Sequence, residues 1–379
     1  MVIAAVSSGG VASIQAGILI AVAMAFAWNL GVHYTGAVMG MPYSARSIAL
    51  WPALVLIGVF TILGATFASG RVQQTVGQHI ITDRLVTIPD AIVIILTAGG
   101  LTMLYNYWRI PTSTIQILVF SVIGVGLAGG IPIHWDTIGR LAVVWVLAPL
   151  VAFALGYAFT RLLDLVIPPK LARAETLAVA GASATETPAA TSGFARWFPG
   201  VAHAYTTQPD ALRAEGYTGS SLIVWRMLPG LLVLVGMFAS FTLGANDVAN
   251  ATGVLILTHL FPLALAGFLG GLAMAIGTLT WGRRILHTVA FDVVKMDLTM
   301  ASAAQGVQAL VVLAAATQGL FTSMNQALIG AMAGTGLARG RETVQRRQIL
   351  GILRGWLIGP LSGIALGFAL EWLLRLFLS

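Results

Sequence analysis

Residues 110–128 read IPTSTIQILVFSVIGVGLA, and residues 320–338 read LFTSMNQALIGAMAGTGLA. When the two are aligned, Thr112, Ser113, Gln116, Gly124 and Gly126 recur as Thr322, Ser323, Gln326, Gly334 and Gly336, each 210 positions on. The match extends in both directions. Upstream, Gly31, Gly40, Arg71, Thr75 and Val76 recur 213 positions later as Gly244, Gly253, Arg284, Thr288 and Val289. Downstream, Trp145, Pro149, Leu155 and Gly156 recur 211 positions later as Trp356, Pro360, Leu366 and Gly367. Three blocks in one order, with Trp, Pro, Arg and Gln among the matches, indicate an internal duplication.

The material duplicated is membrane helix. Of 379 residues 58% are hydrophobic and only 9% charged, against roughly 25% charged in a soluble domain, so a water-facing surface could not be covered. Continuous apolar runs at 47–70, 141–163 and 260–282 reach the about 20 residues that a spanning helix needs. They do not alternate as barrel strands do. Each half carries five such segments, in the first half at 12–40, 47–70, 90–108, 113–130 and 141–163. Residues 1–10 lack a basic region ahead of the apolar stretch, so the first segment is expected to be a retained span.

The stretch at 168–220, with ETLAVAGASATETPAATSG inside it, reads as a hydrophilic linker. The expected domains are therefore a first transmembrane repeat (1–167), the linker (168–220) and a second repeat (221–379). An odd number of crossings per repeat inverts the second. The fold expected is all-α integral membrane: a polytopic helical transporter with two inverted-topology repeats and broken or half helices at the midplane.

The net charge of +7 comes from Lys and Arg in loops, where they set orientation; no basic and aromatic interleaving points to nucleic acid. Arg339, Arg341, Arg346, Arg347 and Arg354 face one Glu342, and Arg283, Arg284 and Lys295 flank another loop. Placing these loops and the linker in the cytoplasm leaves both termini outside, although Arg71 and Arg84, beside Asp83, then face outward. The absence of cysteine rules out disulfides, thiol nucleophiles and Cys metal sites.

Polar residues within the spans are few. Residues 243–253 read LGANDVANATG, where Gly244 and Gly253 bracket Asn246, Asp247, Asn250 and Thr252, a density that suits an unwound helix lining a cavity. Asp247 is the one mid-span carboxylate. It either pins helices together by hydrogen bonds or serves transport, and the cost of a charge at that depth favours transport. The second cluster is PTSTIQ (111–116) and FTSMNQ (321–326). Its Ser and Thr residues read as helix N-caps. If these caps lie within the membrane, two positive helix ends and their free N–H groups converge on one anion site; at the membrane surface they would be ordinary caps.

LGANDVANATG is similar to the signature of the inorganic phosphate transporter (PiT) family, a GAND-type motif once in each half. The family's Pro-x-Ser-Thr-Thr-His signature is matched by Pro111, Ser113 and Thr114, with Gln116 in place of His, and more loosely by Ser323 and Gln326. In the first half the motif reads LGVHYTGAVMG, so that His33 and Tyr34 stand where Asn246 and Asp247 stand in the second. Without its first Asp, and with the run from Gly36 to Ser44, the chain resembles the CysP-type sulfate permease branch.

Sulfate only accepts hydrogen bonds, whereas phosphate also donates and gains from a carboxylate, so the lost Asp favours sulfate and the retained Asp247 keeps phosphate as the alternative. The resemblance implies alternating access in the cytoplasmic membrane and a homodimer. It also implies Ser113, Thr114, Ser323 and Asn325 as anion donors, with Thr112, Thr322, Asn250 and backbone near Gly31 and Gly244 completing the shell. No cofactor is expected. The coupling ion is sodium at Asp247 and Asn246, or a proton on His33, whose side chain ordinarily titrates near about 6.5 but could equally be an interhelical hydrogen-bonding group. A channel would show a continuous polar stripe. An enzyme would show a nucleophile, a metal cluster or an acid and base pair, and the sequence shows none of these.

Overall fold

The computed structural model describes residues 2–82, 85–108, 112–167, 193–206, 219–257, 261–284, 296–340 and 346–378, with Pro169 and Leu286. The first half holds α1 (Val2–Ser44), α2 (Leu50–Phe67), α3 (Gly70–Gln78), α4 (Ile88–Tyr107), α5 (Thr114–Gly129) and α6 (Trp135–Val166). Two short helices follow, α7 (Gly193–Trp197) and α8 (Pro199–Thr206). The second half holds α9 (Ser220–Asp247), α10 (Ala249–Leu257), α11 (Leu263–Gly277, continued by a π turn Thr278–Gly282), α12 (Leu298–Thr317), α13 (Met324–Arg339) and α14 (Arg346–Leu378). Most of the linker at 168–220 lies outside the described residues, as do Asp83, Arg84, Pro111, Thr288, Val289, Lys295, Arg341 and Glu342. So do the side chains of Arg346, Arg347 and Arg354.

The periods of 210 to 213 carry over to the helices. Adding 210 to the limits of α4 and α5 gives those of α12 and α13, and adding 211 to the start of α6 gives the start of α14. Among the described residues eight helices are long and apolar enough to cross a membrane. Of the five segments expected in each half, the fourth is the shortest, because α5 and α13 have only 16 residues each. At 1.5 Å per residue they are about 24 Å long, short of the about 30 Å hydrocarbon core.

Partners are exchanged between the halves: α5 packs on α14 and α13 on α6, while α2 packs on α9 and α1 on α11. Glycines make these crossings close. A Cβ at Gly31 (α1) would fall 1.9 Å from the Met274 carbonyl oxygen, and one at Gly277 (α11) 2.0 Å from that of Trp28. The same contact recurs 213 positions on, where Gly244 (α9) would meet the Thr61 oxygen at 2.0 Å and Gly64 (α2) the Phe241 oxygen at 1.9 Å. Gly31 and Gly244 are thus crossing points of helices rather than backbone donors to an anion. The Gly31 carbonyl is already taken by the hydroxyls of Thr35 at 2.7 Å and Thr278 at 3.1 Å.

Two charge clusters tie helix ends together. Arg339, at the end of α13, is paired with Asp164 near the end of α6 (2.9 Å) and with Asp297 at the N-cap of α12 (3.2 Å). Its side chain is 3% exposed, so this arginine is a buried ion-pair group and not the loop charge that the sequence suggested. Arg375 of α14 pairs with Glu371 (2.7 Å) and with Asp90 in the first turn of α4 (3.7 Å). It fills the space beside Gly129, which leads into the start of α6. The helices α4 and α12 therefore begin at opposite ends of α6.

Candidate anion and cation site

The two 16-residue helices start inside the protein. Ser113 and Ser323 are their N-caps, each accepting from the backbone N–H three residues on (Gln116 and Gln326, both 3.4 Å). Both serines are buried, as are Thr112, Thr114 and Thr322. A cap bond uses a lone pair of the hydroxyl and leaves its hydrogen free to donate. The first two N–H groups of each helix also have no partner in their own helix. The two starts lie together, with the Gln326 Nε2 donating to Gln116 Oε1 at 3.3 Å. The Trp145 indole N–H holds the approach to α13 by donating to the Phe321 carbonyl at 3.0 Å.

Against these starts lies the junction of α9 and α10. The expected unwound helix is a smaller feature: only Val248 interrupts the assignment, and it keeps right-handed helical angles. Asn246 is spent on positioning. Its Nδ2 donates to the Thr322 carbonyl (2.9 Å) and to Asp247 Oδ2 (2.8 Å), and its Oδ1 accepts from the Thr322 N–H (3.3 Å). It grips the backbone just before the Ser323 cap and has little left for a cation. Asp247 is fully buried, and its Oδ1 has no partner; the same holds for Asn250 Oδ1 and Thr322 Oγ1.

Asn250 donates through Nδ2 to Thr114 Oγ1 (3.3 Å), and Thr114 is 2.7 Å from the Tyr34 hydroxyl, which also interacts with Asp247. One orientation satisfies the chain: Asn250 to Thr114, Thr114 to Tyr34, Tyr34 to Asp247. Asn250 is thus an acceptor facing the site rather than the anion donor that was expected.

Residue types across the duplication explain why the site is lopsided. Asp247, Asn250 and Thr114 correspond to Tyr34, Ala37 and Met324. Where the second polar set would stand, α12 supplies two buried amides: Gln305 Nε2 donates to the Ala37 carbonyl (2.9 Å) and to Gln308 Oε1 (2.6 Å), and Gln308 Nε2 donates to the Met324 carbonyl (3.3 Å). Their counterparts in α4 are Ile95 and Ala98, so the duplication itself gave no signal for them. His33 lies on a more accessible wall, between Asn106 (Nδ1 to Oδ1, 2.5 Å) and Asn325 (Nε2 to Nδ2, 3.2 Å). Asn325 therefore engages His33.

The caps give a direct prediction. Ser113→Ala and Ser323→Ala should each weaken anion binding by about 1.5–3 kcal/mol, the worth of a hydrogen bond to a charged group, beyond the about 1 kcal/mol of stability that a lost cap costs. Radioligand binding to purified protein is the measurement. Unaltered affinity in both variants would leave the serines as caps alone.

Comparison with known proteins places this geometry. Residues 30–367 match the model of the phosphate transporter family. The chain is 26% identical to the chloroplastic inorganic phosphate transporter 2-1 of Arabidopsis thaliana over 93% of this chain and 71% of that one. It is 24% identical to the sulfate permease CysP of Bacillus subtilis (strain 168), over 91% and 84%. Among solved structures, a sodium-dependent phosphate transporter superposes with a TM-score of 0.77 at 22% identity, covering 96% of this chain and 99% of that one, a likeness of fold.

Proposed function

We propose, because this chain belongs to the phosphate transporter family, that it is a secondary transporter moving a tetrahedral inorganic oxyanion across the cytoplasmic membrane by alternating access, with phosphate as the preferred substrate. The observation that carries this reading is the pair of buried, Ser-capped helix starts beside a carboxylate oxygen without a partner. Free N–H and hydroxyl donors suit any oxyanion. Orphan acceptors at Asp247 and Asn250 add a preference, because hydrogen phosphate has a hydroxyl to donate and sulfate has none. The sequence alone had put sulfate first. The relatives and these acceptors favour phosphate, while Tyr34 in place of a carboxylate and the likeness to CysP keep sulfate as the second reading.

The coupling site fits sodium by donor chemistry. Asp247 Oδ1, Asn250 Oδ1 and Thr322 Oγ1 are buried oxygen acceptors, the ligand type that hard cations take. Bound sodium would neutralise Asp247 beside the anion. Since Ala37, Met324 and the two glutamines close the counterpart position, one such cation is expected per cycle. A proton on His33 is the alternative coupling ion. The end of the protein that carries Arg339 and the linker is assigned to the cytoplasm, with both termini outside.

Uptake of labelled phosphate and labelled sulfate into proteoliposomes, with sodium and proton gradients imposed separately, tests this. Phosphate should accumulate, and excess sulfate should compete weakly. Sulfate accumulation that excess phosphate leaves untouched would reverse the assignment.

A further inference from the structure

We propose that Asn325 is a proton-controlled anion donor, whose amide is turned toward or away from the oxyanion by His33. This goes beyond the transport reading but rests on it. Asn106 donates through Nδ2 to Asn29 Oδ1 at 3.3 Å, so it presents Oδ1 to His33. The imidazole Nδ1 must then carry the hydrogen, which leaves Nε2 as an acceptor for the Asn325 amide N–H. In the neutral state of His33 the Asn325 donor is consumed.

Protonation at Nε2 sets two N–H donors against each other. Asn106 holds the other side of the ring, so the freer partner to move is the terminal amide of Asn325. A half-turn gives its oxygen to His33 and directs its N–H groups to where that oxygen stood. Asn325 is the second residue of α13, two positions after the Ser323 cap, so the released donors belong to the same first turn as the N-terminal anion site. Proton uptake and anion binding then favour each other, and affinity rises as pH falls through the titration of His33.

His33, Asn106 and Asn325 are less buried than Asp247, which is fully buried, so this relay is the more accessible of the two polar clusters. Among the described residues the ionisable groups facing this stretch are Tyr34, edge-on to the imidazole at 4.6 Å, and beyond its hydroxyl Asp247 of α9. Asn106 from α4 and Asn325 from α13 are neutral.

The test is binding of labelled phosphate to purified native protein, His33→Gln, Asn325→Leu and Asn106→Leu between pH 5.5 and 8. Phosphate changes its own protonation over this range, so the quantity compared is the slope of affinity against pH relative to the native protein. Native affinity should gain roughly tenfold more than either His33→Gln or Asn325→Leu on acidification, about the worth of one charge-assisted bond. Asn106→Leu, which frees the tautomer, should flatten the profile less than the other two.

A slope in Asn325→Leu or His33→Gln equal to the native slope overturns the proposal. So does a loss of affinity in Asn325→Leu that is uniform with pH, the signature of a structural role. If His33→Gln yields no folded protein, the Asn325→Leu slope decides alone. Failure of the native protein to bind phosphate at any pH would instead remove the transport reading beneath it.

Discussion

Asp247→Asn is expected to abolish gradient-driven accumulation while leaving anion exchange in place. The substitution preserves shape and can keep the bond from Asn246, but it removes the charge for which a cation would enter this buried position. Each cation lost from the cycle forfeits about 2.3 kcal/mol per 100 mV of membrane potential, roughly a 50-fold fall in attainable accumulation. Exchange should persist because the proposed anion donors belong to α5 and α13. The measurement is the ratio of potential-driven uptake to exchange, normalised to folded protein. If Asp247 only pins helices, both activities fall with the folded fraction and the ratio stays where it was.

Gly244→Ala is expected to yield no correctly folded protein. The added methyl would sit 2.0 Å from the Thr61 carbonyl oxygen and 2.6 Å from the Ala65 nitrogen, which are backbone atoms of a packed helix and cannot swing aside. Ordinary overpacking costs about 1–3 kcal/mol; forcing α9 off α2 along their length costs more. The control lies on the same helix, since a Cβ at Gly230 meets nothing within 4 Å. Gly230→Ala should elute as the native protein does in detergent size-exclusion chromatography, and Gly244→Ala should aggregate or be degraded. A monodisperse Gly244→Ala would return that glycine to the anion shell proposed from the sequence.

The caps and the duplication were legible because both depend on residue type at fixed spacing: Ser followed by a helix, twice, 210 positions apart. Roles that depend on a distant partner were not. Gly31 and Gly244 sit beside polar motifs and so read as backbone donors, when the atoms that demand glycine there belong to α11 and α2. Arg339 opens a basic run and so reads as a loop charge, its two carboxylates lying 175 and 42 positions away. Asn246 had the right chemistry for a cation ligand, and only the backbone of Thr322 shows that it is already engaged. Gln305 and Gln308 lie in an alanine-rich helix and correspond to the apolar Ile95 and Ala98 of the first half, so neither spacing nor repetition marked them.

The exchange of partners between halves sets an order of biogenesis. A chain that has emerged from the ribosome only as far as α6 holds α1, α2 and α5 with their glycine grooves unfilled, because the helices that fill them are α11, α9 and α14. The notch at Gly124 receives the backbone of Ile364 and Gly367, among the last residues to be synthesised. The packing of α5 is therefore complete only once the final helix has been threaded beside it.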